Sequence, residues 1–351
     1  HTVGAGGGSV AWADAGGALR VGPRLAGADP SPAAYCRGGE EPTVTDANLV
    51  LGRLDAGAPL AGGVALDRDA AERAVGALAS SLGIDLVGCA EGIVRVANSE
   101  MVRALRVMTV EQGIDPRRFA LLAFGGAGPL HAAAIAGELG MATILCPRAS
   151  GVLSALGLAA ADRRATEQRT VLLAGDELTD TALERARREL ADAARDTLGA
   201  QDARVELVHE VRYRGQAHEL TVRDVPRPDL ATLHEAFEAL HEERYGYRDE
   251  AAPIEVVTIR ASASVAGPQL DLAAGDEAAE WTRSRRDVVF DGERHDTKIL
   301  RGEPAPGERV SGPAICELPE ATLAVPPGWA GAVDDAGTIV LERARPDGHP
   351  R

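Results

Sequence analysis

Lysine is almost absent from this 351-residue chain: Lys298 is the only one, and every other strongly basic residue is an arginine. With 53 Asp and Glu against 37 Lys and Arg, the net charge is −16. A phosphate-tracking nucleic-acid binder or a polybasic membrane binder needs the opposite sign, so neither partner is expected. Aromatic residues make up only 3% of the chain. No uninterrupted apolar run reaches the roughly 18 residues that a membrane-spanning helix needs. The four cysteines, Cys36, Cys89, Cys146 and Cys316, include no CxxC and no Cys/His pair at zinc spacing. A disulfide framework and a structural zinc site therefore both lack support, and a reducing cytoplasm fits best. An initiator Met and a signal peptide are also lacking, and the opening His1-Thr-Val-Gly reads as the start of a fragment.

What is present is glycine, 40 residues of it, in a chain long enough for two or three domains at about 150 residues each. Residues 1–60 are loop-dominated. A β-hairpin is expected from Val10 to Val21, with Asp14-Ala-Gly16-Gly17 at its tip. Asp67 is placed to cap a helix running to about Leu82. Ile93, Val94, Ala97, Met101, Leu105 and Met108 recur at spacings of three and four, which predicts a long amphipathic helix over 90–112. Phe119–Phe124 and Thr143–Cys146 read as buried strands with a helix between them from Leu130 to Leu139. Such alternation predicts an α/β layered domain with parallel pairing and a cleft beside Gly125. After Asp162 the pattern becomes α+β: a charged helix over 177–198, strands at 205–213 and 218–222, a helix at 230–244 and a strand at 254–265. Residues 266–287 read as irregular, and the Gly- and Pro-rich remainder as a small β-rich end. The expected domains are 1–165 and 166–351.

Two glycine segments carry candidate chemistry. Gly125-Gly126-Ala127-Gly128-Pro129-Leu130-His131 follows a strand and opens a helix, where absent Cβ atoms and free N–H groups suit a ligand. The same spacing also fits a plain strand–helix turn. Pro129 is acceptable in a first helical turn because it gives up a donor with no intrahelical partner. Gly6-Gly7-Gly8-Ser9 could cradle phosphate or be a flexible loop; it has neither a dinucleotide fingerprint nor a following Gly-Lys-Ser/Thr. Thr43-Val-Thr45-Asp46-Ala-Asn48 gathers oxygens suited to a magnesium water shell, and equally to an N-cap at Thr45 or Asp46 starting a segment 47–54. His1 and His131 are candidate proton carriers or metal ligands, yet no metal-ligand set can be assigned. His234 and His241, seven apart, read as packing residues.

Taken with their surroundings, these segments resemble a known family. His1–Ser9, Gly27-Ala-Asp-Pro30, Pro42–Gly52, Phe124–His131 and Pro147–Gly157 are similar to the hydantoinase A/5-oxoprolinase family, and Tyr213-Arg-Gly-Gln216, Arg244-Tyr-Gly-Tyr247 and Gly312-Pro-Ala-Ile315 extend the likeness. The resemblance implies the ribonuclease-H-like half of an actin/acetate-kinase-type ATPase, followed by an α+β region with a small β-rich end. It implies ATP and Mg2+ as cofactors. Gly125, Gly126, Gly128 and Pro129 would lie against adenosine, Gly6, Gly7, Gly8 and Ser9 near the phosphates, and Asp46, Asn48 and His131 along the cleft. The family's Asp-Met-Gly-Gly-Thr-Ser-Thr-Asp turn is not in this sequence, so the chain resembles the carboxyl-terminal half of a member, inactive by itself. The implied activity is ATP-dependent hydrolysis of a small cyclic amide, with the amino-terminal half and a hydantoinase B-type subunit or domain as partners. An acetone/acetophenone-type carboxylase subunit and a catalytically inactive nucleotide-binding or assembly fragment are the alternatives.

Overall fold

The computed structural model describes residues 3–223, 229–249, 251–270 and 281–344. His1 therefore lies outside the described residues. The chain forms two compact units, one from residues 1–156 and 271–351, the other from 157–270.

The first unit opens with a hairpin of β1 (Ser9–Ala13) and β2 (Leu19–Leu25). Its tip is the expected one: Asp14 Oδ1 accepts from Gly16 N and Ala18 N, and Gly17 takes a positive φ of 78°. Helix α1 (Val44–Val50) follows, with all seven residues buried. It begins three residues before the expected segment at 47, because the cap is Thr43: Asp46 N donates to the Thr43 side chain while the Asp46 carboxylate accepts from Thr43 N, a reciprocal capping box. Helix α2 (Arg68–Leu82) is capped by Asp67 and closed by Gly83, and α3 (Leu86–Met108) buries the stripe Cys89, Ile93, Val94 and Ala97 against it.

Strand β3 is only Leu121–Leu122, followed by α4 (Gly128–Leu139) and β4 (Thr143–Cys146). The parallel β3–β4 pairing agrees with expectation, but the buried strand predicted over 119–124 does not form. Phe119 and Phe124 are 55% and 47% exposed, because β3 is the edge strand of its sheet and has a neighbour on one side only. Helix α5 (Leu153–Ala160) carries the chain towards the second unit.

That second unit consists of β5 (Arg163–Ala174), α6 (Asp180–Leu198), β6 (Arg204–Tyr213), β7 (Leu220–Arg223), α7 (Leu230–Tyr245) and β8 (Ile254–Val265). Its antiparallel sheet runs β5-β8-β6-β7, and Leu183, Phe237, Val256 and Ile259 lie in its core. The Tyr213–Gln216 and Arg244–Tyr247 motifs meet around buried His241, whose ring nitrogens pair with Gln216 Nε2 at 3.1 Å and the Tyr247 carbonyl at 2.8 Å. His241 is thus a packing residue, as its helical spacing predicts.

The chain then returns to the first unit through β9 (Thr282–Phe290), β10 (Glu293–Arg301), β11 (Arg309–Ser311), β12 (Ala314–Glu317), β13 (Thr322–Val325), β14 (Trp329–Val333) and β15 (Ile339–Arg343). Residues 282–287, expected to be irregular, open β9. Strands β13-β12-β10-β9 make one sheet, while β11-β14-β15-β4-β3 make another. In the latter, Ile339 pairs with Cys146 and Leu341 with Ile144, so the sheet is mixed rather than parallel. This pairing joins strands from both expected domains, 1–165 and 166–351, in one sheet. The carboxyl-terminal strands complete the first unit's sheet, because β4 has a second hydrogen-bonding edge that only β15 fills.

Candidate functional site

Within the first unit, a cavity of about 670 Å3 lies between the two glycine segments. Its walls include Gly7 and Gly8, Thr45 and Asn48 of α1, and Gly126 and Ala127 before α4. The segment Leu54–Leu60 and residues from β10 through the Glu317–Thr322 turn complete it.

The first glycine loop is a tight turn in which the Ser9 N–H donates to the Gly6 carbonyl at 3.0 Å. Its carbonyls are all engaged: Gly7 O accepts from Thr45 N at 2.8 Å and Thr45 Oγ1 at 3.0 Å, and Gly8 O accepts from Ala26 N at 2.7 Å. The Gly7 and Gly8 amides have no acceptor among the described residues, and both glycines line the cavity. A Cβ on Gly7 would stand 2.9 Å from Thr45 Oγ1 and 3.8 Å from the Ala127 Cβ, so glycine is what lets the loop lie against both α1 and the second glycine segment.

In that second segment the two glycines have different work. Gly125 turns the chain with φ 83° and donates to the Ser150 carbonyl at 2.7 Å. Gly126 has no positive φ, and a Cβ there would meet only the Glu320 carbonyl at 3.6 Å, an ordinary contact. The Gly126 and Ala127 amides are likewise without acceptors among the described residues. Gly128 opens α4 and Pro129 occupies its first turn. Unpaired N–H groups at a helix start, where the helix dipole is positive, favour an anion or an electron-rich ring edge.

Asn48 is buried and lines the cavity; its Nδ2 donates to the Val44 carbonyl at 3.0 Å, and its Oδ1 has no partner among the described residues. Three other expected residues lie elsewhere. Asp46 is fully buried outside the lining, with Oδ1 accepting from Ala34 N and Oδ2 from Thr43 N and Oγ1, each at 2.7 Å. Burial pushes its pKa up; Oδ2 is occupied by the cap residue Thr43 and Oδ1 by the Ala34 amide. Ser9 clasps its own loop: Oγ accepts from Gly6 N and donates to Gly4 O, both at 2.9 Å, leaving neither Gly6 N nor the hydroxyl for a phosphate. His131 is buried on α4 outside the lining, with Nδ1 2.7 Å from Asn98 Oδ1 and Nε2 without a partner. Burial, reinforced by the Arg53 charge, lowers its pKa to about 4, so the ring is neutral at pH 7.

Sequence reasoning missed Asp55, Arg301, Glu317 and Glu320, which also line the cavity. The only local signal was Gly312-Pro-Ala-Ile315, just ahead of Glu317. Among the described residues no group of three His, Cys, Asp or Glu side chains could hold a metal ion.

Residues 1–167 match the family model described as hydantoinase/oxoprolinase, and residues 159–344 match the hydantoinase/oxoprolinase C-terminal domain. The caprolactamase subunit alpha of Pseudomonas jessenii is 36% identical over 97% of this chain and 52% of its own length. For 5-oxoprolinase 1 of Arabidopsis thaliana the identity is 32%, over 97% of this chain and 29% of the relative. The crystal structure of the P. jessenii ATP-dependent caprolactamase aligns with a TM-score of 0.73 at 34% identity, covering 98% of this chain and 53% of that one. A nucleotide-free acetone carboxylase aligns at 0.81 with 25% identity, over 97% of this chain and 52% of that one. The chain thus spans about half the length, or less, of the curated relatives it matches.

Proposed function

This chain belongs to the hydantoinase/oxoprolinase family, and we propose that it supplies one nucleotide-facing wall of an ATP-dependent cyclic-amide hydrolase. The observation that carries this reading is the convergence of four unpaired amides, those of Gly7, Gly8, Gly126 and Ala127, on one cavity that also holds the unpaired Asn48 acceptor. Amides of that kind suit phosphate oxygens, and Asn48 Oδ1 suits a ligand hydroxyl or amine.

In this reading Gly126 and Ala127 lie against the nucleoside and Gly7 and Gly8 against phosphate oxygens. The chemistry ATP would supply is a phosphoryl group for the lactam oxygen, which turns a poor amide electrophile into one with a good leaving oxygen. The chain's own residues contribute position and fixed dipoles, the main protein terms in phosphoryl transfer. Thr45 holds the Gly7 loop in place through two hydrogen bonds. Mg2+ in such sites is held largely by water and phosphate. The remaining half of an intact member and a B-type subunit are the proposed partners, and the isolated chain is expected to bind nucleotide without turning over a ring substrate.

A ketone carboxylase is the second reading, favoured by the higher structural similarity to acetone carboxylase. The greater sequence identity to caprolactamase favours the lactam. Calorimetric titration of the chain with ATP tests the nucleotide reading, and absence of binding at millimolar ATP would remove it. ATP consumption by the intact enzyme with a panel of lactams and ketones separates the two substrates: stimulation by a lactam alone supports the hydrolase, by a ketone with bicarbonate the carboxylase.

A further inference from the structure

Among the described residues that line the 670 Å3 cavity, Arg301 is the one cation, in the same lining as the glycine amides. Its guanidinium is held on two sides: Nε donates to Glu317 Oε2 at 2.7 Å and Nη2 to Asp55 Oδ2 at 2.6 Å. Nη1 has no partner among the described residues.

The two carboxylates are not equivalent. Glu317, 13% exposed, is shared with a second arginine, since Arg286 Nη1 donates to its Oε1 at 2.7 Å. Arg286 is itself fixed by the Gly52 carbonyl at 2.7 Å and the Arg53 carbonyl at 3.2 Å. Asp55 is 31% exposed, sits in the segment after α1 and spends its other oxygen on the Gly57 amide; Arg286 Nη1 reaches its Oδ2 only at 3.5 Å, against 2.7 Å to Glu317. Glu317 is a fixed anchor for Arg301, whereas Asp55 is a partly solvated counter-ion that another anion can replace.

We propose that Arg301 is a binding residue for the phosphoryl oxygens of a polyphosphate ligand, with Asp55 as the counter-ion that phosphate displaces. A guanidinium presents paired N–H donors that match two phosphate oxygens, and phosphate carries more charge than one carboxylate. The amides of Gly7 and Gly8, which line the same cavity, then supply further donors to that anion. The inference rests on the nucleotide reading only for the source of the phosphate; the anion site itself follows from the side chains.

Inorganic tripolyphosphate, ATP and adenosine, titrated into the full chain by calorimetry with thermal melts alongside, provide the test. Arg301→Gln should weaken tripolyphosphate and ATP at least tenfold and leave adenosine unchanged. Asp55→Asn should strengthen tripolyphosphate severalfold, because a competing anion is gone. A purely structural ion network predicts weakening in both variants, and that result overturns the proposal. So does a wild-type chain that does not bind tripolyphosphate, or an Arg301→Gln chain that binds it unchanged. If Arg301→Gln melts early, Arg301→Lys retains the charge without the fork; it should bind tripolyphosphate more weakly than wild type with adenosine binding unchanged, and unchanged tripolyphosphate affinity overturns the proposal. Tripolyphosphate binding through Arg301 without adenosine binding would remove the nucleoside assignment and keep this site; adenosine binding without tripolyphosphate would do the reverse.

Discussion

The Gly7 carbonyl accepts two hydrogen bonds from a single residue, Thr45, one from its backbone N–H at 2.8 Å and one from its hydroxyl at 3.0 Å. This pair fixes the glycine loop to the start of α1 and engages the Gly7 carbonyl, while the Gly7 and Gly8 amides have no acceptor among the described residues. Thr45→Val keeps the shape and removes the hydroxyl donor. It should cost about 1 kcal/mol of stability, the usual value of one hydrogen bond, and lower ATP affinity as the loop loosens. Melts and calorimetry on the same variant measure both; unchanged affinity would mean that the backbone bond alone sets the loop.

Gly125 and Gly126 should respond oppositely to substitution. At Gly125, φ 83° makes any side chain strained, so Gly125→Ala should lower stability by roughly 1–2 kcal/mol. Gly126→Val meets no such strain and only the Glu320 carbonyl at 3.6 Å, so its melting temperature should change little. Its side chain enters the cavity, and ATP affinity should fall at least tenfold, about 1.4 kcal/mol. A Gly126→Val chain that binds ATP with parental affinity would remove Gly126 from the nucleoside wall.

Separate production of 1–156, 157–270 and 271–351 tests the interleaved units. The middle segment has its own core around Leu183, Phe237 and Ile259, and should fold alone with a cooperative melt. The outer two should co-purify when co-expressed, held by the β4–β15 pairing and by Val289 N donating to the Leu51 carbonyl at 2.9 Å. If 271–351 instead stays with 157–270, the division of the fold is wrong.

Acid should destabilise the first unit through His131. Its folded pKa of about 4 lies below the ordinary 6.5, so between these values the unfolded chain binds the additional proton. Stability from this group is fully present above pH 6.5 and is lost as the pH falls towards 4, with a slope of up to about 1.4 kcal/mol per pH unit. His131→Gln should flatten that dependence in melts taken across the window. An unchanged slope would assign the acid sensitivity to other groups, among them His209 in the second unit, whose pKa is lowered to about 3 by burial and by Arg187.

Much of the local structure was legible in the residues themselves. Asp67 before an apolar repeat marks the start of α2, the three-and-four spacing from Ile93 marks α3, and alternation around Gly215 marks β6 and β7. Such signals act within about one turn of helix or along one strand, so a sequence states them openly. The turn at Gly125 and the glycine loop at Gly7 were legible as candidates for the same reason.

Tertiary structure alone decided which oxygens and charges reach the cavity. Asp46 and Asn48 are two residues apart in one motif, yet the capping box consumes Asp46 while Asn48 Oδ1 is left unpaired. Asp55, Arg301 and Glu317 come from distant segments, and only the placement of β10 and β12 beside the α1 region brings them together. Likewise β4 carries no mark in its four residues that its second neighbour will be β15 from the far end of the chain. Ladder pairing and ion-pair partners depend on which surfaces meet after collapse, and the periodicity of a single segment holds no record of the other surface.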